Sequence, residues 1–223
     1  MLKTSKLIVV LALALSLCRP FGATPSVDVS VTQVSPSGKA LENMLDSTRV
    51  EELWLAGLHV NWKTGLPDGR PYLKQGAHTH CSAFVAAVAY RLGIYILRPP
   101  EHSQVHLANA QVDWLKAEGN SQGWREVESG KEAQKLANEG FLVIAAYKTR
   151  NPEISGHIVV VRPDAKSKEM LREEGPQVIQ AATNNFSSAT LRRGFKYHPG
   201  AFEHDRIGFF AHEIPPERLK RFR

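Results

Sequence analysis

The twelve residues from Cys81 to Leu92, Cys-Ser-Ala-Phe-Val-Ala-Ala-Val-Ala-Tyr-Arg-Leu, contain a single charge. Phe84, Val85, Val88, Ala89 and Leu92 follow the i, i+3, i+4 spacing of a helix with a buried stripe. Gly93 supplies the left-handed residue that ends such a helix, and Thr79 is placed to cap its start. Helices this short draw their stability from tertiary packing, so the chain is expected to organise its core around this one. A cysteine stands in the first turn. There, free N–H groups and the positive end of the helix dipole favour thiolate over thiol, which is the setting of a cysteine nucleophile. The other use of an unpaired cysteine is as a small buried hydrophobe.

The flanking sequence divides into helices first and strands later. Residues 38–46 and 48–58 carry helical apolar faces, and 57–70 is a loop rich in turn formers, placed to wall a cleft. After Arg98-Pro99-Pro100, Ser103 can cap a helix running to Glu118, and Ser129 with Glu132 forms a capping-box pair for a helix ending at Gly140. Residues 141–147, 157–161, 178–182 and 207–214 are short, β-branched or aromatic runs separated by turns, the middle two joined by a charged loop at 163–176. This order predicts an α+β domain whose strands are antiparallel.

The N-terminus is a separate element. Lys3 and Lys6 precede an apolar run from Leu7 to Leu17, and small residues follow at Gly22-Ala23. That is the pattern of a secretory signal peptide over 1–23, and the run is short for a membrane span. Residues 24–37 read as a leader or linker, leaving 38–223 as the folded domain. Loss of Lys3, Lys6 and Arg19 lowers the formal charge from +6 to +3, with 25 basic against 22 acidic side chains. Such a balance is compatible with an anionic wall and is no signature of nucleic-acid binding. Loss of Cys18 leaves Cys81 as the one cysteine of an exported chain, secreted or periplasmic. A lone thiol in an oxidising compartment is a liability unless buried or used.

A nucleophilic cysteine needs a base and a group that holds the base in the right tautomer. His157 opens the strand at 157–161 behind Ser155-Gly156, a polar ring at the mouth of an apolar strand. On the strand at 178–182, Gln180 is the polar side chain whose amide oxygen could accept from an imidazole N–H.

Taken together, Cys81-Ser82-Ala83-Phe84-Val85, Gly156-His157-Ile158-Val159-Val160-Val161 and Val178-Ile179-Gln180-Ala181 resemble, in order and spacing, the motifs of NlpC-type cell-wall cysteine peptidases. CHAP-type amidases share the layout. The resemblance implies a papain-like core with Cys81 as nucleophile, His157 as base and Gln180 as orienting residue. It also implies hydrolysis of an amide bond in peptidoglycan stem peptides through a thioester acyl-enzyme, without a cofactor. The family's aspartate before the cysteine is His80 here, and its glycine after Cys-Ser is Ala83. Residues beside the nucleophile line its pocket, so His80 and Ser82 are candidate substrate contacts. The segment 101–140 exceeds the family core and is expected as an added helical segment.

Other readings remain open at this level. Asn184-Asn185 follows the third strand as a substrate contact, a substitute for Gln180, or a turn. His78-x-His80-Cys81 and His102-xxx-His106 have ligand-like spacings, but two donors do not make a metal site, and none is expected. His59, His198, His204 and His212 read as surface groups, although each could serve as a base or subsite. A silent wall-binding or partner-binding module on the same scaffold, or a Cys/His acyltransferase, would carry the same residues. The basic tail Arg218-Leu219-Lys220-Arg221-Phe222-Arg223 reads as a solvated charge run that could touch an anionic surface.

Overall fold

A computed structural model describes residues 32–72, 78–151, 153–198 and 200–223. The expected signal segment 1–23 and the leader up to residue 31 lie outside the described residues. The fold is α+β, with seven α-helices and one six-stranded antiparallel sheet among the described residues. None of the described helices is long and apolar enough to cross a membrane.

The chain enters along Thr32, tied to the Lys166 carbonyl, and forms α1, Pro36–Asp46. Ser35 caps it by accepting from the Gly38 N–H, with Pro36 at the first helical position. The helix expected over 48–58 is absent; these residues run as turns, with Arg49 and Trp54 at φ 54° and 53°. The cause is burial of Trp54. Its indole donates to the Trp62 carbonyl (3.0 Å), its ring meets Phe84 edge-on, and Gly65 lies against it so closely that a Cβ would collide. Asn185 takes the Val50 and Leu53 carbonyls that a helix would have used internally. Tertiary packing here overrides helical periodicity.

The loop expected at 57–70 is observed, closed by a bridge between Val60 and Pro67. It leads to α2, Cys81–Arg91, which is buried on every side from Cys81 to Ala89 rather than along one stripe. Gly93 follows at φ 73°. The cap position belongs to His80, not Thr79, and no side chain caps the helix there. The next helix, α3, spans Leu107–Ala117 instead of starting after Ser103. Gln104 reaches back to the Val60 carbonyl, and His106 turns the chain at φ 54°.

Residues 101–140 then supply β1, Arg125–Val127, and α4, Gly130–Glu139, capped by Ser129. These elements are built into the common sheet and core rather than set apart as an added segment. Strands β2, Leu142–Tyr147, and β3, His157–Val161, follow. The charged loop expected at 163–176 contains a short helix, α5, Lys168–Glu174, capped by Ser167. Next come β4, Gln177–Gln180; β5, Phe186–Thr190; α6, Leu191–Gly194; and β6, Gly208–His212. The chain ends in α7, Pro216–Leu219, and a 3-10 turn, Lys220–Phe222.

The sheet order is β1-β6-β2-β3-β4-β5. Helices cover both faces, which is why β2 and β3 read as unbroken apolar runs. On one face Ile144, Ala146, Ile158, Val160, Ile179 and Phe210 join the cluster that contains α2. On the other, Val143, Ala145, Val159, Val161, Val178 and Phe209 pack with α4, Leu191 and Phe195. Arg162, just past β3, clasps α1 through Asp46 (2.6 and 3.1 Å) and Glu42 (3.0 Å). This clasp fixes the far end of β3 and therefore the register of its first residue, His157.

Candidate active site

Cys81 is the first residue of α2 and is 4% exposed. Two influences act on its sulfur. Burial is the larger and pushes the thiol above its ordinary value; the backbone N–H groups of Ile158, Ser82 and Cys81 pull the other way. The helix tip favours the thiolate, as expected, but its pull is the smaller of the two. Desolvation wins, and the resting group is a thiol.

His157 opens β3 opposite Tyr147 and is also 4% exposed. Gln180 ends the neighbouring strand β4, which pairs with β3 through Val160↔Ile179 and Val161↔Val178. That register makes the two side chains diagonal neighbours on one face, within reach of each other. The His157 Nε2 and Gln180 Oε1 lie 3.1 Å apart, while the Gln180 Nε2 donates to the Asn184 carbonyl (3.1 Å). The second bond decides the first. With the amide nitrogen committed to Asn184, the amide oxygen faces the ring, so His157 donates from Nε2 and keeps its lone pair on Nδ1.

The ring is further boxed by Phe195, edge-on at 4.8 Å, and by His198, stacked at 5.2 Å and 12°. Burial first, and His198 second, lower its pKa to about 4, against the opposing pull of Gln180 and the Gly194 carbonyl. Neutral imidazole is thus the resting state. The ring lies with Phe195 on the α6 side of the sheet, whereas Cys81 belongs to the α2 side, where its sulfur faces the Ile158 N–H. Thiol and imidazole bracket one peptide unit, 157–158. Among the described residues no hydrogen bond joins them, so the resting site holds no preformed ion pair.

The remaining sequence candidates are placed as follows. His80 is buried, its Nε2 engaged with the Leu58 carbonyl (2.8 Å), and burial lowers its pKa; it ties the 57–72 loop to the start of α2. Ser82 is buried, and its carbonyl accepts from Gln111 (3.2 Å). Asn184 is exposed, donates to the Tyr197 hydroxyl (3.1 Å) and supports Gln180 through its backbone, while the Asn185 side chain closes the turn by accepting from the Ala182 N–H. Among the described residues, no group of three or more His, Cys, Asp or Glu side chains could hold a metal ion.

Sequence reasoning missed three contributors. His198, read as a surface group, is the stacking partner of His157, and burial lowers its own pKa. Asn109 on α3 accepts from the Gly156 N–H (2.9 Å) and donates to Ile154 (3.0 Å), pinning the loop just before His157. Gly194 lets α6 approach, since a Cβ there would stand 3.0 Å from the Gln180 Oε1. None of these carries a periodic or motif signal; each is found only through the contact it makes.

With this geometry in view, similarity to known proteins becomes informative. Over 82 residues the chain is 42% identical to the peptidoglycan amidase Tse1 of Pseudomonas aeruginosa. The match covers 37% of this chain and 44% of Tse1, less than half of either. No family model matches the chain.

Proposed function

We propose that this chain is an exported cysteine hydrolase that cleaves an amide bond in peptidoglycan stem peptides. The observation that carries the reading is the His157–Gln180 hydrogen bond, with its tautomer set by Asn184, next to a helix-tip thiol facing the 157–158 peptide. Similarity to a peptidoglycan amidase supplies the substrate class. The order of cysteine helix, histidine strand and polar strand supports a papain-like, NlpC-type or CHAP-type core.

In this mechanism the resting pair is neutral. The two groups flank the 157–158 peptide from opposite sides of the sheet, so substrate binding must rearrange the site to bring them together. The His157 Nδ1 then takes the Cys81 proton as the sulfur attacks the amide carbonyl. Gln180 stabilises the imidazolium that forms, in the role of the third member of a triad. The Cys81 N–H, at the unsatisfied end of α2, is one donor for the oxyanion. His157 then protonates the leaving amine, and a water deprotonated by the same nitrogen releases the acyl group from sulfur. Low exposure shields a lone thiol from oxidants, and it requires the covering wall to part for substrate.

That same burial favours a second reading, a silent wall-binding module, and an acyltransferase would use the same residues. Digestion separates them. Purified peptidoglycan is incubated with the native chain or Cys81→Ala, with and without an added amine acceptor, and fragments are weighed by mass spectrometry. The hydrolase yields new free carboxyl ends with the native chain alone, and a transferase yields amine adducts. No new fragment from either chain contradicts the proposal.

A further inference from the structure

At the far end of α2 from Cys81, about 16 Å along the helix, lies a cleft of about 490 Å³ whose lining includes Arg91, Arg98, Arg218 and Arg221. Among the described residues no carboxylate forms an ion pair with any of these four guanidiniums. The basic side chains of the C-terminal run, Arg218, Lys220, Arg221 and Arg223, are exposed, as a solvated charge run would be. The run's 3-10 turn and α7 fold back beside α1, and Arg218 is laid so closely on Gly93 that a Cβ there would stand 2.8 Å from its Nε. Arg98 lies over Tyr90 (5.2 Å) and Tyr95 (4.8 Å) and donates from Nη1 to the Ile94 carbonyl (3.5 Å), which leaves its remaining N–H groups for an oxyanion. Lys63 stands over the same Tyr90 ring, 4.7 Å from its centroid.

A helix C-terminus attracts cations, but it carries only roughly half a negative charge. Four guanidiniums exceed that several-fold. Arg91, half-buried, is also repelled by Arg221, so the clustered charges oppose one another. Planar, permanently charged forks without carboxylate partners suit bidentate binding of phosphate oxygens.

We propose that this cleft is a binding site for a ligand carrying two adjoining phosphate groups, whose charge matches the four arginines. The inference is independent of the amidase reading, because the cleft is remote from Cys81 and the readout is binding. Inorganic pyrophosphate is titrated calorimetrically into the full chain at low ionic strength, with orthophosphate for comparison. Saturable one-to-one binding of pyrophosphate, tighter than orthophosphate, is expected. The Arg218→Gln/Arg221→Gln double variant should weaken it by about tenfold or more, and Arg172→Gln, on α5, should leave it unchanged.

Arg221→Gln alone should raise the Tm of the ligand-free protein while weakening binding, an outcome that a structural role for Arg221 would reverse. A second arm uses phosphatidylcholine vesicles with and without a polyprenyl diphosphate. Sedimentation with the diphosphate-bearing vesicles alone, competed by pyrophosphate, assigns the phosphates to a lipid headgroup; binding of pyrophosphate without vesicle binding assigns a soluble diphosphate. Absence of saturable pyrophosphate binding, or binding that the double variant leaves intact, overturns the proposal.

Discussion

Acidification should unfold this protein partly through one ring. His157 has its pKa lowered from 6.5 to about 4 by burial and by His198. The unfolded chain therefore takes up a proton as pH falls through 6.5, while the folded ring stays neutral until near pH 4. Stability is fully present above 6.5 and is lost across that window. Between pH 7 and pH 5 the difference is about 2 kcal/mol from this residue. His80 and His198, also lowered by burial, add losses of the same sign, so the comparison must isolate His157. Urea unfolding of the native chain and His157→Gln at both pH values does so, whatever the variant's own stability. The native chain should lose about 2 kcal/mol more than the variant over this interval. Equal losses would refute the reasoning, because they would mean that the ring is solvated in the folded protein.

Further outcomes follow from the same contacts. Alkylation of Cys81 by iodoacetamide should be slow at pH 7 and rise only above the ordinary thiol range, since burial raises its pKa; fast alkylation at pH 7 would restore the preformed ion pair. Gln180→Ala should lower kcat by about 10²-fold with little change in KM, because the His157 tautomer loses its lock; Gln180→Glu, which keeps an acceptor, should recover most of the activity on peptidoglycan. Gly156→Ala should destabilise the fold by more than about 2 kcal/mol in urea, since its Cβ would sit 2.1 Å from the Tyr147 carbonyl oxygen.

Elements were legible in the sequence where one physical signal dominated. Strand β3 was read with its observed bounds, because the apolar run 158–161 begins abruptly at a histidine. Helix α2 was read because so few of its residues tolerate water. By contrast, β5 is built from Phe186-Ser-Ser-Ala-Thr, with no alternation to announce it, and β1 has three residues. The missing helix at 48–58 was lost to a tryptophan whose burial outweighs local propensity. At the candidate site, the His157–Gln180 contact was legible because both are polar residues on apolar strands. The protonation state was not, since desolvation depends on the whole surrounding shell, including His198 and Phe195 from a segment with no periodicity.

The central claim is that the Cys81 sulfur carries the acyl group. Acid-quenched reactions of the native chain with soluble peptidoglycan fragments, followed by intact-mass and peptide mapping, test it most directly. The account predicts a mass increase equal to the acyl fragment, located on the Cys81 peptide and discharged by hydroxylamine as a thioester. Cleavage of the fragments by Cys81→Ala at the native rate, with no such adduct on the native chain, would contradict it.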